Sequence, residues 1–142
     1  MSNETNAKSV LIIPCSGIGK VNGLLTREVT YLVTDEIAPE RTATMCLALL
    51  VKGDAEALEA VQSRSCIAID GCPKACAEKN IKIAGGNPAK IVQVMDTLKT
   101  HPGAKPGSPT DLTEEGWIIA REIAANVAEA AARLRAGKEE IR

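Results

Sequence analysis

Two short runs, Val10-Leu11-Ile12-Ile13 and Cys66-Ile67-Ala68-Ile69, constrain this chain most. Each is continuously apolar and rich in β-branched residues, the pattern of a strand covered on both faces. Pro14 ends the first and pushes Ile13 toward extended backbone. Asp70-Gly71 ends the second. A third run, Lys90-Ile91-Val92-Gln93-Val94, reads as another strand. Helical stretches separate the runs, so the strands must pair in parallel through crossover connections. The expectation is a small three-layer α/β domain with a three- to four-stranded, mainly parallel sheet.

The helical expectations come from apolar spacing and caps. Val21 or Asn22 to Thr34 places Leu24, Leu25, Val29, Leu32 and Val33 on an approximate face. Thr42 to Val51 reads as a second helix carrying Cys46, stopped by Gly53. Asp54 caps a short helix running to about Gln62. Pro73 to about Ala84 reads as a helix ended by Gly85-Gly86, with Pro73 at its first position and Cys72 as N-cap. Residues 101–110 hold three prolines and two glycines and read as a connector. A long C-terminal helix is expected over 111–136, opened by the capping-box-like pair Asp111 and Glu114 and stopped by Gly137. Its face is Ile119, Ile123, Val127, Ala131 and Leu134. Residues 1–8 read as a disordered leader, leaving 9–142 as one domain.

Composition limits the function classes. One Trp, one Tyr and no Phe leave almost nothing for stacking on nucleic-acid bases, and a net charge of −1 provides no basic field. Nucleic acid and anionic membranes are therefore not expected partners. The longest apolar run, Met45 to Val51, is too short to span a bilayer, and Met1 to Ser9 has no signal-peptide core, so the cytoplasm is the expected compartment.

Five cysteines in such a chain argue against a disulfide framework and for thiol chemistry or metal ligation. Cys66 lies inside an apolar run and reads as core. Cys15, Cys72 and Cys76 instead flank turn residues. In an open parallel sheet, sites lie beyond the carboxyl ends of the strands. Cys15 follows the first strand and Cys72 the second, so topology brings both to one edge. With Pro73 opening a helix, Cys72 and Cys76 would share a helix face, in a spacing that suits a zinc chelating pair. Cys15 supplies a third soft thiolate; Cys46 is a candidate fourth that the spacing does not place. Lys20, Lys74 or N–H groups would offset the charge of such a site. Asp70 either caps the turn or orients a ligand.

Three catalytic patterns fail. Gly17-Ile18-Gly19-Lys20-Val21 lacks the spacing and the hydroxyl of a Walker-type loop. A thiol phosphatase needs Arg after Cys and five residues, where this chain has Val21. A thiol hydrolase needs a base, and the one histidine, His101, falls in the connector as a solvated loop residue.

Pro14-Cys15-Ser16-Gly17, Cys46-Leu47 and Ile69-Asp70-Gly71-Cys72-Pro73 running on to Cys76-Ala77 together resemble the DGC-domain family, over roughly residues 10–86 and the strand that follows. The family is described as zinc-binding with four characteristic cysteines. The resemblance implies metal ligands at Cys15, Cys46, Cys72 and Cys76 and leaves Cys66 outside the set. The resulting expectation is a zinc-binding protein without catalysis of its own, whose small-molecule or protein partner is not named by the sequence. The alternative is a thiol redox, sulfur-handling or iron–sulfur protein, with Cys72 at a helix N-terminus and Cys15 or Cys76 beside it. An anion or small-molecule binder using the loop Ser16 to Lys20 is a third reading.

Overall fold

The computed structural model describes residues 9–15 and 19–141, with side chains through Arg135. The leader 1–8 and the centre of the loop after Cys15 lie outside the described residues. Four strands form one sheet: β1 (Val10–Pro14), β2 (Thr42–Thr44), β3 (Cys66–Asp70) and β4 (Pro88–Gln93). All neighbours pair in parallel, in the order β2-β1-β3-β4. The α/β expectation therefore holds, at the upper end of its strand count.

Among the described residues, six α-helices cover the sheet: α1 (Val21–Tyr31), α2 (Leu47–Lys52), α3 (Ala55–Ser63), α4 (Cys76–Ile83), α5 (Val94–Leu98) and α6 (Glu114–Ile141). From β1 the chain moves one way across the sheet to β2, then back past β1 to β3 and on to β4. Right-handed crossovers then put α1 on one face and α2, α3 and α4 on the other. The packing follows that rule. Val10, Ile12, Ile67 and Ile69 pack with Leu25 and Val29 of α1 and with Ile119, Ile123 and Val127 of α6. Leu11, Ile13, Cys66 and Ala68 pack with Leu47, Ala57, Val61 and Ile81 on the opposite face. Alternate residues of β1 and β3 thus serve both layers, which is why their sequences are apolar without interruption.

Several boundaries differ from expectation for identifiable reasons. The segment Thr42 to Val51 is not one helix. Its start is β2, paired Val10↔Thr42 through Ile12↔Thr44, and the helix begins only at Leu47. β-Branched Thr42 and Thr44 suit the pleat, and the Thr42 hydroxyl donates to the Ala38 carbonyl at 2.8 Å. At the end of α1 the chain continues as a π-helical turn, Leu32–Ile37, with Ala38 N–H donating to Val33 O at 2.8 Å. β4 ends at Gln93, and Val94 opens α5 rather than closing the strand.

Asp54 does cap α3, its carboxylate accepting from Ala57 N–H at 3.0 Å. Asp111 does not cap α6. It belongs to the preceding turn, where Ser108 N–H donates to its carbonyl, and the cap is Thr113, whose hydroxyl accepts from Gly116 N–H at 3.0 Å. α6 also runs past Gly137 to Ile141. Its expected face is right: Ile119, Ile123, Val127 and Ala131 are buried and Leu134 packs at the margin.

Ile12 is fully buried between α1, α6 and the neighbouring strands. Ile12→Ala should therefore lower unfolding free energy by about 2–5 kcal/mol and Ile12→Val by about 0.5–1.5 kcal/mol, read from urea denaturation.

Candidate metal centre

The strand order reverses between β1 and β3: the connection leaving β1 goes one way, that leaving β3 goes the other. In open parallel sheets, such a reversal is where ligands bind, beyond the carboxyl ends of the two strands. Cys15 is the first residue after β1, and Cys72 is the second after β3. Cys46 follows β2, on the other side of β1, and Cys76 opens α4. Four thiols thus stand along the carboxyl edge of three adjacent strands. Cys66 begins β3, at the opposite edge, where it is fully buried.

The local geometry around Cys72 departs from expectation. Pro73 is not the first helical residue, and Cys72 is not a helix cap. Cys72 to Ala75 form a turn closed by Ala75 N–H donating to Cys72 O at 3.2 Å, with proline at its first central position. Ala75 is left-handed (φ 56°), an uncommon conformation for a residue with a Cβ, and it is the N-cap of α4. Cys72 and Cys76 therefore sit at the two ends of a turn rather than on one helical face.

Asp70 causes this arrangement. Its carboxylate reaches across the turn to accept from Ala77 N–H at 2.8 Å and Glu78 N–H at 3.2 Å, two donors that the first turn of α4 otherwise leaves unpaired. The strand end and the helix start are thus clamped together, and the chain between them must loop outward, carrying both cysteines. Asp70 is 1% exposed. Burial pushes its carboxyl above the ordinary value of 3.8, against the lowering effect of its two N–H donors.

Gly71 is required for a different reason. A Cβ there would lie 2.9 Å from the carbonyl oxygen of Asn22 and 3.0 Å from its carbonyl carbon, both backbone atoms. α1 can approach the end of β3 only because Gly71 has no side chain. Across that contact Asn22 Nδ2 donates to Gly71 O at 2.9 Å, and from the other side Gln93 Nε2 donates to Cys72 O at 3.3 Å.

Cys15 is held from both sides as well. Its N–H donates to Ile69 O at 2.9 Å, extending the β1–β3 ladder by one step. The buried Thr26 hydroxyl of α1 is shared between Cys15 O (3.0 Å) and Gly23 O (2.6 Å), and the Cys15 thiol lies 3.8 Å from that hydroxyl oxygen. Cys15 is buried, Cys72 half-buried, and Cys46 and Cys76 exposed. Among the described residues, no group of three or more His, Cys, Asp or Glu side chains is disposed to hold a metal ion. The fold thus lines up soft donors along one edge without closing them into a shell. Lys20 and Lys74 are exposed. His101 is not simply a solvated loop residue: its Nε2 lies 2.8 Å from Glu122 Oε1 of α6, tying the connector down.

The DGC-domain family model matches residues 11–130. The chain belongs to the DGC-domain family. The match extends past the blocks that carried the resemblance, through the connector and into most of α6, so those segments are part of the DGC domain. No curated protein and no solved structure matches the chain. In this DGC domain the three residues of the name have separate physical jobs: Asp70 clamps a helix, Gly71 admits another, and Cys72 is presented by the turn between them.

Removing the clamp should be costly. Asp70→Ala is expected to lower stability by about 1–3 kcal/mol, because it leaves donors of α4 unpaired, with Asp70→Asn losing less. Urea denaturation measures the loss, and amide exchange should show it concentrated at Ala77 and Glu78.

Proposed function

We propose that this DGC domain binds zinc through the thiolates of Cys15, Cys46, Cys72 and Cys76. The observation that carries the reading is that four of the five cysteines stand along the carboxyl edge of β1, β2 and β3, while the core cysteine, Cys66, stands at the other. Soft thiolates without a histidine or carboxylate among them suit zinc, which in structural sites takes four such ligands. Bound there, the ion would cross-link the segments after β1, β2 and β3, and no catalytic step is assigned to it. Among the described residues the thiols do not form a closed shell, so binding would draw those segments together. Metal sites of this kind commonly form as the ion binds. Asp70, Asn22 and Gln93 reduce what must be ordered, by fixing the backbone on either side of Cys72.

The clamp also favours ligand over nucleophile. A reactive thiolate at a helix start draws on unpaired N–H groups and the positive end of the dipole. At α4 two of those N–H groups already bond the Asp70 carboxylate. An iron–sulfur cluster would use the same donor set and is distinguished by its absorption.

Protein purified anaerobically should carry one zinc per chain and no visible chromophore. Replacing any one of the four cysteines by Ser should weaken zinc binding by at least about 100-fold, the upper end of what loss of an outer-shell partner costs. Cys66→Ala should leave the stoichiometry unchanged. Metal analysis together with the charge-transfer bands of the cobalt-substituted protein reads both. Full zinc content after loss of all four thiols would overturn the assignment, and a brown chromophore would turn it toward a cluster.

A further inference from the structure

Phe is absent from this chain, and its one Trp and one Tyr meet at the same place. Tyr31, at the end of α1, and Trp117, in the first turn of α6, line a groove of about 210 Å³ together with Glu28, Leu32, Asp35, Glu36 and Arg121. α1 starts at the cysteine edge and ends here, so the groove is remote from the candidate metal centre. The groove has no part in the reading given above.

We propose that this groove is a docking site for a protein segment bearing arginine or lysine side chains. Tyr31 is 48% exposed, in a chain that otherwise builds its core from aliphatic residues. Aromatic side chains at a surface groove are the usual anchors of protein interfaces. The charges say which partner fits. Glu28, Asp35 and Glu36 face one guanidinium, Arg121, and among the described residues none of the three carboxylates forms an ion pair. Asp35 accepts a single hydrogen bond, from the neighbouring Thr34 hydroxyl at 3.3 Å.

Arg121 Cζ lies 5.8 Å from the Trp117 ring centroid, so the indole face already takes a guanidinium from within the chain. A second cation entering from outside would find the phenol of Tyr31 and three unmatched carboxylates. The rim is also built unusually. The π-helical turn Leu32–Ile37 brings Asp35 and Glu36 to the groove, and departures of this kind from the α-helix are frequent at functional sites. An acidic or apolar segment would leave the carboxylates facing like charge or buried without a partner, so the groove selects against both.

Because Trp117 is the sole tryptophan, its emission reports on this groove alone. Titration with hexa-arginine amide should change that emission saturably, more weakly as salt rises, whereas hexaglutamate should leave it unchanged. Replacing Glu28, Asp35 and Glu36 together by Gln, Asn and Gln should weaken binding by about tenfold or more, as loss of complementary charge predicts. Glu56→Gln with Glu59→Gln, which removes carboxylates from the opposite layer, should not. Tyr31→Ala, at an exposed site, should weaken binding as well while circular dichroism stays native. Unchanged emission at low salt, or equal binding by the triple variant, would overturn the proposal. So would sedimentation showing a dimer that loses its self-association on Tyr31→Ala, since a second copy would then be the occupant.

Discussion

The carboxylate of Asp70 accepting from Ala77 and Glu78 N–H is the contact on which the candidate site depends. It joins the last residue of a buried strand to the first turn of the following helix, and it spans a five-residue turn to do so. Because the clamp takes the helix donors, Cys72 to Ala75 are left outside regular structure, and Ala75 is held in a left-handed conformation that the surroundings must enforce. A buried carboxylate raised in pKa by desolvation is unfavourable by itself. Its persistence here is explained by the two backbone donors that only a carboxylate or a close mimic satisfies together.

Around this clamp the reversal of strand order does the rest. β1 and β3 lie side by side, yet the chains leaving them turn to opposite faces of the sheet. Cys15 directly follows β1, and Cys72 lies in the turn that follows β3. Asn22 closes the gap from α1 by way of Gly71, and Gln93 closes it from β4 by way of Cys72 O. Three elements distant in sequence are thus fixed relative to one turn before any ligand is considered.

What the sequence made legible follows from which interactions are local. The strands at Val10 and Cys66 are legible because burial on both faces leaves no room for polar residues. The Asp54 cap is legible because capping acts over three residues. The start of α4 is not, because its cap comes from Asp70, seven residues before Ala77, and a proline in the turn imitates a helix opening. β2 is hidden for another reason. It is three residues long at the sheet edge, so its threonines carry no alternation and run into the helix beyond. Thr26 and Gln93 reach the site through contacts eleven and twenty-one residues apart in sequence. Nothing in their neighbours marks them, whereas Asn22 at least follows a glycine-rich loop.

Cys15 and Cys66 show why placement, rather than residue type, separates a candidate ligand from a core residue. Both are buried, and both pack in the same apolar layer against α2, α3 and α4. They differ in where they fall on adjacent parallel strands: Cys66 opens β3 and Cys15 follows β1, so nearly the full height of the sheet divides them. The Cys66 sulfur faces carbonyls of Val61 and Arg64, groups that complete the packing of a crossover. The Cys15 sulfur lies beside the buried Thr26 hydroxyl of α1. Two buried cysteines on neighbouring strands are thus separated by position: one at the carboxyl edge where the chain leaves the sheet, the other at the amino edge inside the packing.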